Sequence, residues 1–445
     1  MSRARNQERS RKSAPPGSVA CVLGLGRSGL AATALLMRMG WSVRGLDRQD
    51  STALRSAWQP YGELGAKLIT GPHPLSALDD CSLLIRSPGV PANIPILEEA
   101  LRRGITIQSE LSLAANEIQT PIIAITGTNG KSTTTAWAAH LLRRAGIDAV
   151  AAGNIGHALS RAVVEEGPET IFVVEVSSFQ LEDSSDFHPR AACILNLTPD
   201  HLDRHGTFEA YAEAKWSITA NQTGEDTLVL GPGVEPPQSG LPVQIVCVDQ
   251  ESTAPTALSL PGPHNLINGL VALALASTVV DDPDRLIPGL EDFPGLPHRM
   301  EEVGKLGSVR LVNDSKSTNV DSLRVALMSY EDPVVLIAGG RDKQGAFEEL
   351  TNLVTDAVKH LVVIGEASAR IQAAWPQIPA SEAESLDEAI TIALSAAPPN
   401  GVILLSPGCA SFDMFSNFEE RGDIFRELVR RRIEAGESAR GVEQR

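Results

Sequence analysis

The chain has 445 residues, of which 42% are hydrophobic, 21% charged and 4% aromatic, the make-up of a soluble, alanine- and valine-rich α/β enzyme with about two to four domains. A formal net charge of −17 repels nucleic acid and anionic membranes, so neither partner is expected and an anionic substrate must be held by local cations. Five cysteines without CxxC or Cys/His spacing exclude a disulfide scaffold and a standard zinc site, and no apolar run is long enough for a membrane span, so a cytoplasmic protein is expected.

Residues 1–17 carry Arg3, Arg5, Arg9, Arg11 and Lys12, then Pro15-Pro16-Gly17, without the apolar core of a secretory signal. They read as a disordered basic tail or, alternatively, as a transit-type address. The segment Val19-Ala20-Cys21-Val22-Leu23 predicts a strand, Gly24-Leu25-Gly26-Arg27-Ser28-Gly29 a glycine turn, and the run to Met39 a helix. A second strand ends at Leu46-Asp47, completing a Rossmann-like βαβ opening. Such a turn holds the pyrophosphate of NAD or of a UDP-sugar equally well, with Asp47 facing a ribose or base; it also serves simple close packing of helix on strand. The strand Ser82-Leu83-Leu84-Ile85 runs into Arg86-Ser87-Pro88-Gly89-Val90-Pro91, a Pro/Gly loop at a sheet's carboxyl edge.

The apolar run Ile122-Ile123-Ala124-Ile125 then meets Thr126-Gly127-Thr128-Asn129-Gly130-Lys131-Ser132-Thr133 and continues as a helix. Strand, glycine loop and helix start together make a phosphate cradle, where Lys131 reaches the outer phosphates and the hydroxyl of Ser132 or Thr133 serves Mg²⁺. The usual P-loop spacing puts its first glycine at position 125, which is Ile125, so only the shorter GxxGKS core is present. Downstream, Gly153-Asn154-Ile155-Gly156 forms another turn, and the strand Ile171-Phe172-Val173-Val174-Glu175 delivers a carboxylate beside the phosphate loop. Glu175 is a Mg²⁺ ligand or a solvated strand-end residue, and the upstream loop favours the metal. Asp200 to His205 packs two aspartates, two histidines and an arginine into one loop after the strand ending at Asn196, better suited to Mg-phosphate than to zinc. Lys215, on a helix from Tyr211 to Ile218, reads from the residues alone as part of a solvated face. Asn265 and Asn268, one turn apart on a helix through Val279, suit either nucleotide binding or N-terminal capping.

Gly295-Leu296-Pro297-His298-Arg299 marks a domain boundary. Beyond it strands are expected at 309–313, 334–338, 361–365 and 401–405, with helices at 319–329, 346–358, 385–396 and from Asn417, a third α/β layer system on a parallel sheet. Its strand ends carry Asn313-Asp314-Ser315-Lys316-Ser317-Thr318-Asn319, Gly339-Gly340-Arg341-Asp342-Lys343 and Ser406-Pro407-Gly408-Cys409-Ala410-Ser411-Phe412.

In order and type these motifs resemble the Mur ligase family of ATP-dependent amide ligases, from Val19 onward. Gly127 to Ser132 resembles the family's GTNGK[ST] loop, and Gly153 to Gly156, Glu175, Asp200-His201 and His298-Arg299 follow in the family's order; Asn313 to Asn319 and Ser406 to Gly422 resemble its D-glutamate-adding branch. The resemblance implies three domains: a Rossmann-like one over 18–108 for a UDP substrate, a central P-loop-type one with a mostly parallel sheet over 109–297 for ATP, and a Rossmann-like one over 298–445 for an amino acid. It further implies that Lys131, His201 and Lys215 are catalytic, with Ser132, Glu175, His201 and Lys215 around Mg²⁺ and Lys215 carbamylated. Gly127, Thr128, Asn129, Gly130, Lys131, Ser132, Thr133, Asn265, Asn268, Arg299 and Asp314 would hold ATP. Gly26, Arg27, Ser28, Asp47, Gly89 and Asn154 would hold UDP-N-acetylmuramoyl-L-alanine, and Thr318, Lys343, Ser411 and Phe418 D-glutamate, in a monomer. A nicotinamide dehydrogenase leaves the Lys131 loop unexplained, and a P-loop switch protein lacks its Asn-Lys-x-Asp. A folylpolyglutamate-type ligase shares the glycine loop without needing a UDP-binding domain.

Overall fold

The computed structural model describes Pro15 and residues 17–436 except 238–239, 250, 261 and 343–344. The basic tail, apart from Pro15 and Gly17, and Lys343 therefore lie outside the described residues. Two compact units meet in the chain between Phe293 and Pro294.

The first unit contains two parallel sheets. Strands β1 (Val19–Leu23), β2 (Ser42–Asp47), β3 (Lys67–Thr70), β4 (Cys81–Arg86) and β5 (Thr106–Ser109) pair in the order β3-β2-β1-β4-β5. The order reverses beside β1, so the loops after β1 and β4 flank a switch-point crevice, where open α/β sheets bind ligands. Strands β6 (Ile122–Thr126), β7 (Ala149–Gly153), β8 (Ile171–Glu175), β9 (Ala191–Ile194), β10 (Thr227–Leu230) and β11 (Gln244–Cys247) form the second sheet, in the order β11-β10-β9-β6-β8-β7. Its central strands are apolar up to their last residues because helices cover both faces, as parallel sheets require. One such cover is helix Lys131–Arg144, which packs on helix Pro263–Ser277 and buries Trp137, Leu141 and Leu142. Side chains of this size contribute about 1.5–3 kcal/mol each on full burial. Trp137 also stacks on Phe293 and donates its indole N–H to the Gly289 carbonyl at 3.1 Å. A single apolar cluster runs from Leu35 and Leu36 under the first sheet to Phe172 and Ala192 in the second, so the two sheets share a core.

The second unit is one sheet, ordered β12-β13-β17-β14-β15-β16 from β12 (Glu301–Leu306), β13 (Val309–Asn313), β14 (Val334–Gly339), β15 (Val358–Ile364), β16 (Ala380–Ala383) and β17 (Val402–Leu405). Besides β16 and helix Ser368–Ala374, which were not expected, two features depart from expectation. β12 pairs antiparallel with β13, so the sheet is mixed, and the helix expected over 346–358 is a 3₁₀ turn, Phe347–Leu350, followed by helix Thr351–Ala357. The final helix, expected from Asn417, starts at Phe418, because Asn417 caps it by accepting from the Glu420 amide at 2.7 Å.

Candidate active site

In the phosphate loop Gly127 has φ +144° and Gly130 φ +85°, conformations that L side chains rarely adopt. A Cβ on Gly130 would lie 2.5 Å from both Asn268 Oδ1 and Leu195 Cδ2, so the loop is pressed against helix Pro263–Ser277 and the end of β9. Asn268 thus sits at the loop, accepting from Thr134 Oγ1 at 3.3 Å and donating to Asn265 Oδ1 at 3.3 Å. The capping alternative for these amides is not what forms: Gly262 is the N-cap, and no side chain caps it.

The amides of Thr128 and Asn129 do not face an open cradle. Both donate to Asn196 Oδ1, at 3.1 and 2.8 Å, and Asn196 Nδ2 donates back to the Asn129 carbonyl at 3.0 Å. Lys131 curls over the loop, its Nζ donating to the carbonyls of Gly127 at 2.9 Å and Thr128 at 2.7 Å. Ser132 and Thr133 are buried at the helix start.

Lys215 overturns the solvated-face expectation. It is 2% exposed on helix Phe208–Trp216, and its Nζ donates to the same Gly127 carbonyl at 2.8 Å. Burial first, and the Lys131 charge second, bring its ammonium down to about 7, against the opposing pull of Asp200 and Glu175. The Tyr211 ring lies 4.6 Å from Lys215 Nζ, and its hydroxyl hydrogen-bonds Thr128 Oγ1 at 3.0 Å. Sequence reading missed both Asn196 and Tyr211, which reach the loop from 67 and 83 residues away. The one local signal for Asn196 is its place directly after an apolar strand.

Glu175 stands at the end of β8, and the parallel register Ile125↔Glu175 sets it beside the start of the phosphate loop. It is 3% exposed. Asn154, expected to bind substrate, donates from Nδ2 to Glu175 Oε1 at 2.9 Å and so orients this carboxylate. His201 has φ +53°, its half-exposed ring 3.6 Å from Asp200 Oδ2 and edge-on to Phe179 at 4.9 Å. Among the described residues no group of three or more His, Cys, Asp or Glu could close on a metal. A buried carboxylate and a hydroxyl beside a phosphate loop are nonetheless hard oxygen donors. They fit Mg²⁺, which keeps several waters and takes few protein ligands alongside phosphate oxygens.

The switch-point crevice of the first sheet is a cavity of about 1060 Å³ lined by Gly24–Ser28, Asp47–Gln49, Gly71–His73, Ser87–Pro91 and Ile94–Ile96. It brings Gly26, Arg27, Ser28, Asp47 and Gly89 together as expected. The Asp47 carboxylate, however, braces backbone, accepting from the amides of Leu25 at 2.7 Å and Gln49 at 2.9 Å.

In the second unit, Asp314 is buried and accepts from Ser406 Oγ at 2.8 Å and the Met300 amide at 3.2 Å. Burial raises its carboxyl to about 7 against the pull of Ser406 and Arg299. The loops carrying Thr318 and Ser411 are joined by Arg421, 1% exposed, which donates to Ser315 Oγ at 2.9 Å, the Ser315 carbonyl at 2.8 Å and the Cys409 carbonyl at 3.3 Å. Arg421 was not singled out from sequence. Phe418 packs edge-on to His298 at 6.4 Å.

Three family models match the chain: the Mur ligase MurD-like N-terminal domain over residues 18–109, the Mur ligase middle domain over 125–232, and the Mur ligase glutamate ligase domain over 298–409. The chain is 40% identical to a UDP-N-acetylmuramoylalanine–D-glutamate ligase of Salinibacter ruber, over 92% of this chain and 97% of the relative. It is 38% identical to the protein of that name from Pelotomaculum thermopropionicum, over 92% and 96%. Among solved structures it resembles a UDP-N-acetylmuramate-alanine ligase of Thermotoga maritima, with a TM-score of 0.60 at 20% identity, over 93% of this chain and 99% of the other; that likeness concerns the fold.

Proposed function

Because the chain belongs to the Mur ligase family, we propose that it joins D-glutamate to UDP-N-acetylmuramoyl-L-alanine at the expense of ATP, releasing ADP and phosphate, in peptidoglycan precursor synthesis. The observation that carries this reading is the convergence of Lys131 and Lys215 on one loop carbonyl beside the Glu175 carboxylate. A phosphate loop with two amines and one carboxylate suits transfer of a γ-phosphoryl group to an anionic acceptor, where positioning and charge neutralisation dominate.

In this reading the substrate carboxylate attacks the γ-phosphorus and ADP departs, leaving an acyl phosphate. The amine of D-glutamate then attacks the acyl carbon, and the tetrahedral adduct expels inorganic phosphate. Lys131 neutralises the transferring phosphoryl oxygens. Ser132 and Glu175, with His201 and a carbamylated Lys215, would hold Mg²⁺, which when bound supplies charge stabilisation to the phosphate oxygens. A lysine titrating near 7 has the neutral amine that carbon dioxide needs. The cavity over residues 18–108 takes the UDP end, with Gly26, Arg27, Ser28 and Gly89 around it. Asp47 and Asn154 act at one remove, through the loop and through Glu175. Residues 109–297 bind ATP through 127–133, Asn265 and Asn268. Residues 298–445 contribute Arg299 and Asp314 to the nucleotide, and Thr318, Lys343, Ser411 and Phe418 to D-glutamate. The enzyme acts as a cytoplasmic monomer; among the described residues no helix is long and apolar enough to cross a membrane.

The test is phosphate release from ATP, expected only when UDP-N-acetylmuramoyl-L-alanine and D-glutamate are both present. Equal release with L-lysine or meso-diaminopimelate, or without the muramoyl nucleotide, overturns the assignment.

A further inference from the structure

Arg204 belongs to none of the roles assigned above, yet it ties the UDP cavity to the loop that carries His201. It lies on the one-turn helix Leu202–His205, three residues after His201, which caps that helix. One arm of its guanidinium donates to the Pro88 carbonyl at 2.7 Å, and Pro88 lines the cavity. The other arm donates to Glu182 Oε2 at 3.0 Å, and the group lies 4.0 Å from the centre of the Phe179 ring. Phe179 in turn meets His201 edge-on at 4.9 Å and stacks on His205 at 5.2 Å. It is held by a short helix, Ser178–Leu181, whose start Ser177 and Gln180 cap reciprocally.

The cavity side is equally fixed. Arg86, with a side chain 3% exposed, donates to the Val90 carbonyl at 3.0 Å, shares Glu182 at 3.3 Å and pairs with Asp183. Ser87 donates to the Gly24 carbonyl at 2.6 Å, which joins the Pro88 loop to the glycine turn. A continuous path of contacts, hydrogen bonds and then ring contacts, therefore runs from the glycine turn through Ser87, Pro88 and Arg204 to Phe179 and His201. Only a planar fork with a stacking face makes its three contacts at once, so lysine is no substitute.

We propose that Arg204 is a positioning residue through which occupancy of the UDP cavity orients the His201 loop at the reacting carboxylate. This rests on the proposed ligase reading. Binding energy from a remote part of a substrate accelerates a reaction only when a rigid link spends it on orientation at the reacting centre. Arg204 spans the two loops.

The test compares UDP-N-acetylmuramoyl-L-alanine with N-acetylmuramoyl-L-alanine 1-phosphate, which lacks the uridine end, in wild type, Arg204→Ala and Arg204→Lys. In wild type the shorter substrate is expected to lower kcat by about tenfold or more, as truncation does when remote binding is used for orientation. In Arg204→Ala the full substrate falls to that level, truncation costs less than about twofold further, and the KM for ATP stays within about twofold of wild type. Arg204→Lys keeps a cation but not the fork, and its truncation ratio stays below that of wild type; it carries the comparison should the alanine variant fail to fold. A variant that keeps the wild-type truncation ratio, or a wild type that loses only KM on truncation, overturns the proposal. A KM for ATP that rises as much as that for the muramoyl substrate also overturns it, since it marks general loosening. Wild-type phosphate release that needs no muramoyl nucleotide would instead overturn the ligase reading itself.

Discussion

Asn196→Ala isolates the brace that holds the phosphate loop. The substitution removes three hydrogen bonds, from the amides of Thr128 and Asn129 and to the Asn129 carbonyl. The Thr128 amide keeps a partner, since it also donates to the Asn196 main-chain carbonyl at 3.0 Å. The net stability loss thus centres on Asn129 and should be about 1–3 kcal/mol, the scale of one or two buried polar groups left unmatched. The effect on catalysis should be larger. A loop free to shift by about 1 Å costs on the order of a hundredfold in rate, or about 2.7 kcal/mol of transition-state stabilisation. Asn196→Asp sharpens the test: it keeps the acceptor, loses the donor to Asn129 and adds a negative charge beside the polyphosphate. Steady-state kinetics with thermal melts should show kcat falling in Asn196→Ala and KM for ATP rising more in Asn196→Asp than in Asn196→Ala. A kcat and KM for ATP within about twofold of wild type in both variants would refute the brace.

Lys131→Ala should lower kcat by about a hundredfold or more, the scale of one lost transition-state charge contact, and an unchanged kcat would remove Lys131 from the mechanism. Lys215, at about 7, should take up carbon dioxide more readily as pH rises through neutrality, because only the neutral amine reacts. Activity in carbon-dioxide-depleted buffer should therefore fall and return on adding bicarbonate, whereas activity indifferent to bicarbonate would exclude a functional carbamate. Asp314 titrates near 7 when folded against 3.8 for a free carboxyl. Between these values the folded chain binds a proton that the unfolded chain has released, so this group's contribution is full below about pH 4 and is lost as pH rises through about 7. Asp314→Asn should flatten that slope, on the order of 1 kcal/mol per pH unit, in melts from about pH 4.5 to 7.5; parallel slopes in variant and wild type would contradict the assignment.

What could be read from the sequence was local. The strand, loop and helix over 122–144 announce themselves because an apolar run, a glycine loop and a helix start are contiguous, and the strand-ending Glu175 is fixed by the same parallel geometry. The alternation of the second unit was legible wherever strands are buried and apolar. β12, Glu-Glu-Val-Gly-Lys-Leu, escaped because it is a mostly half-buried, charged edge strand whose pairing partner, not its pattern, makes it a strand. Lys215 was misjudged for the opposite reason: a cation on a short helix reads as solvated until the packing of Tyr211 and the loop closes over it. Asp47 and Asn154 kept their neighbourhoods but are committed to Leu25 and Glu175, bonds between segments 21 or more residues apart.

The missing glycine at position 125 also has a physical reason. Ile125 is a fully buried strand residue whose carbonyl accepts from the Val176 amide at 2.8 Å, so β6 is still paired where a longer P-loop would already be turning. The turn begins only at Gly127, and the shorter loop has fewer residues of its own to hold its shape. Asn196, just beyond β9, supplies the missing inner bonds, while Lys215 and Tyr211 from one helix hold Gly127 and Thr128. The short loop and these three side chains therefore form one device: a glycine at position 125 would empty a buried core site and loosen a paired strand without yielding a better cradle, because the bracing already comes from outside the loop.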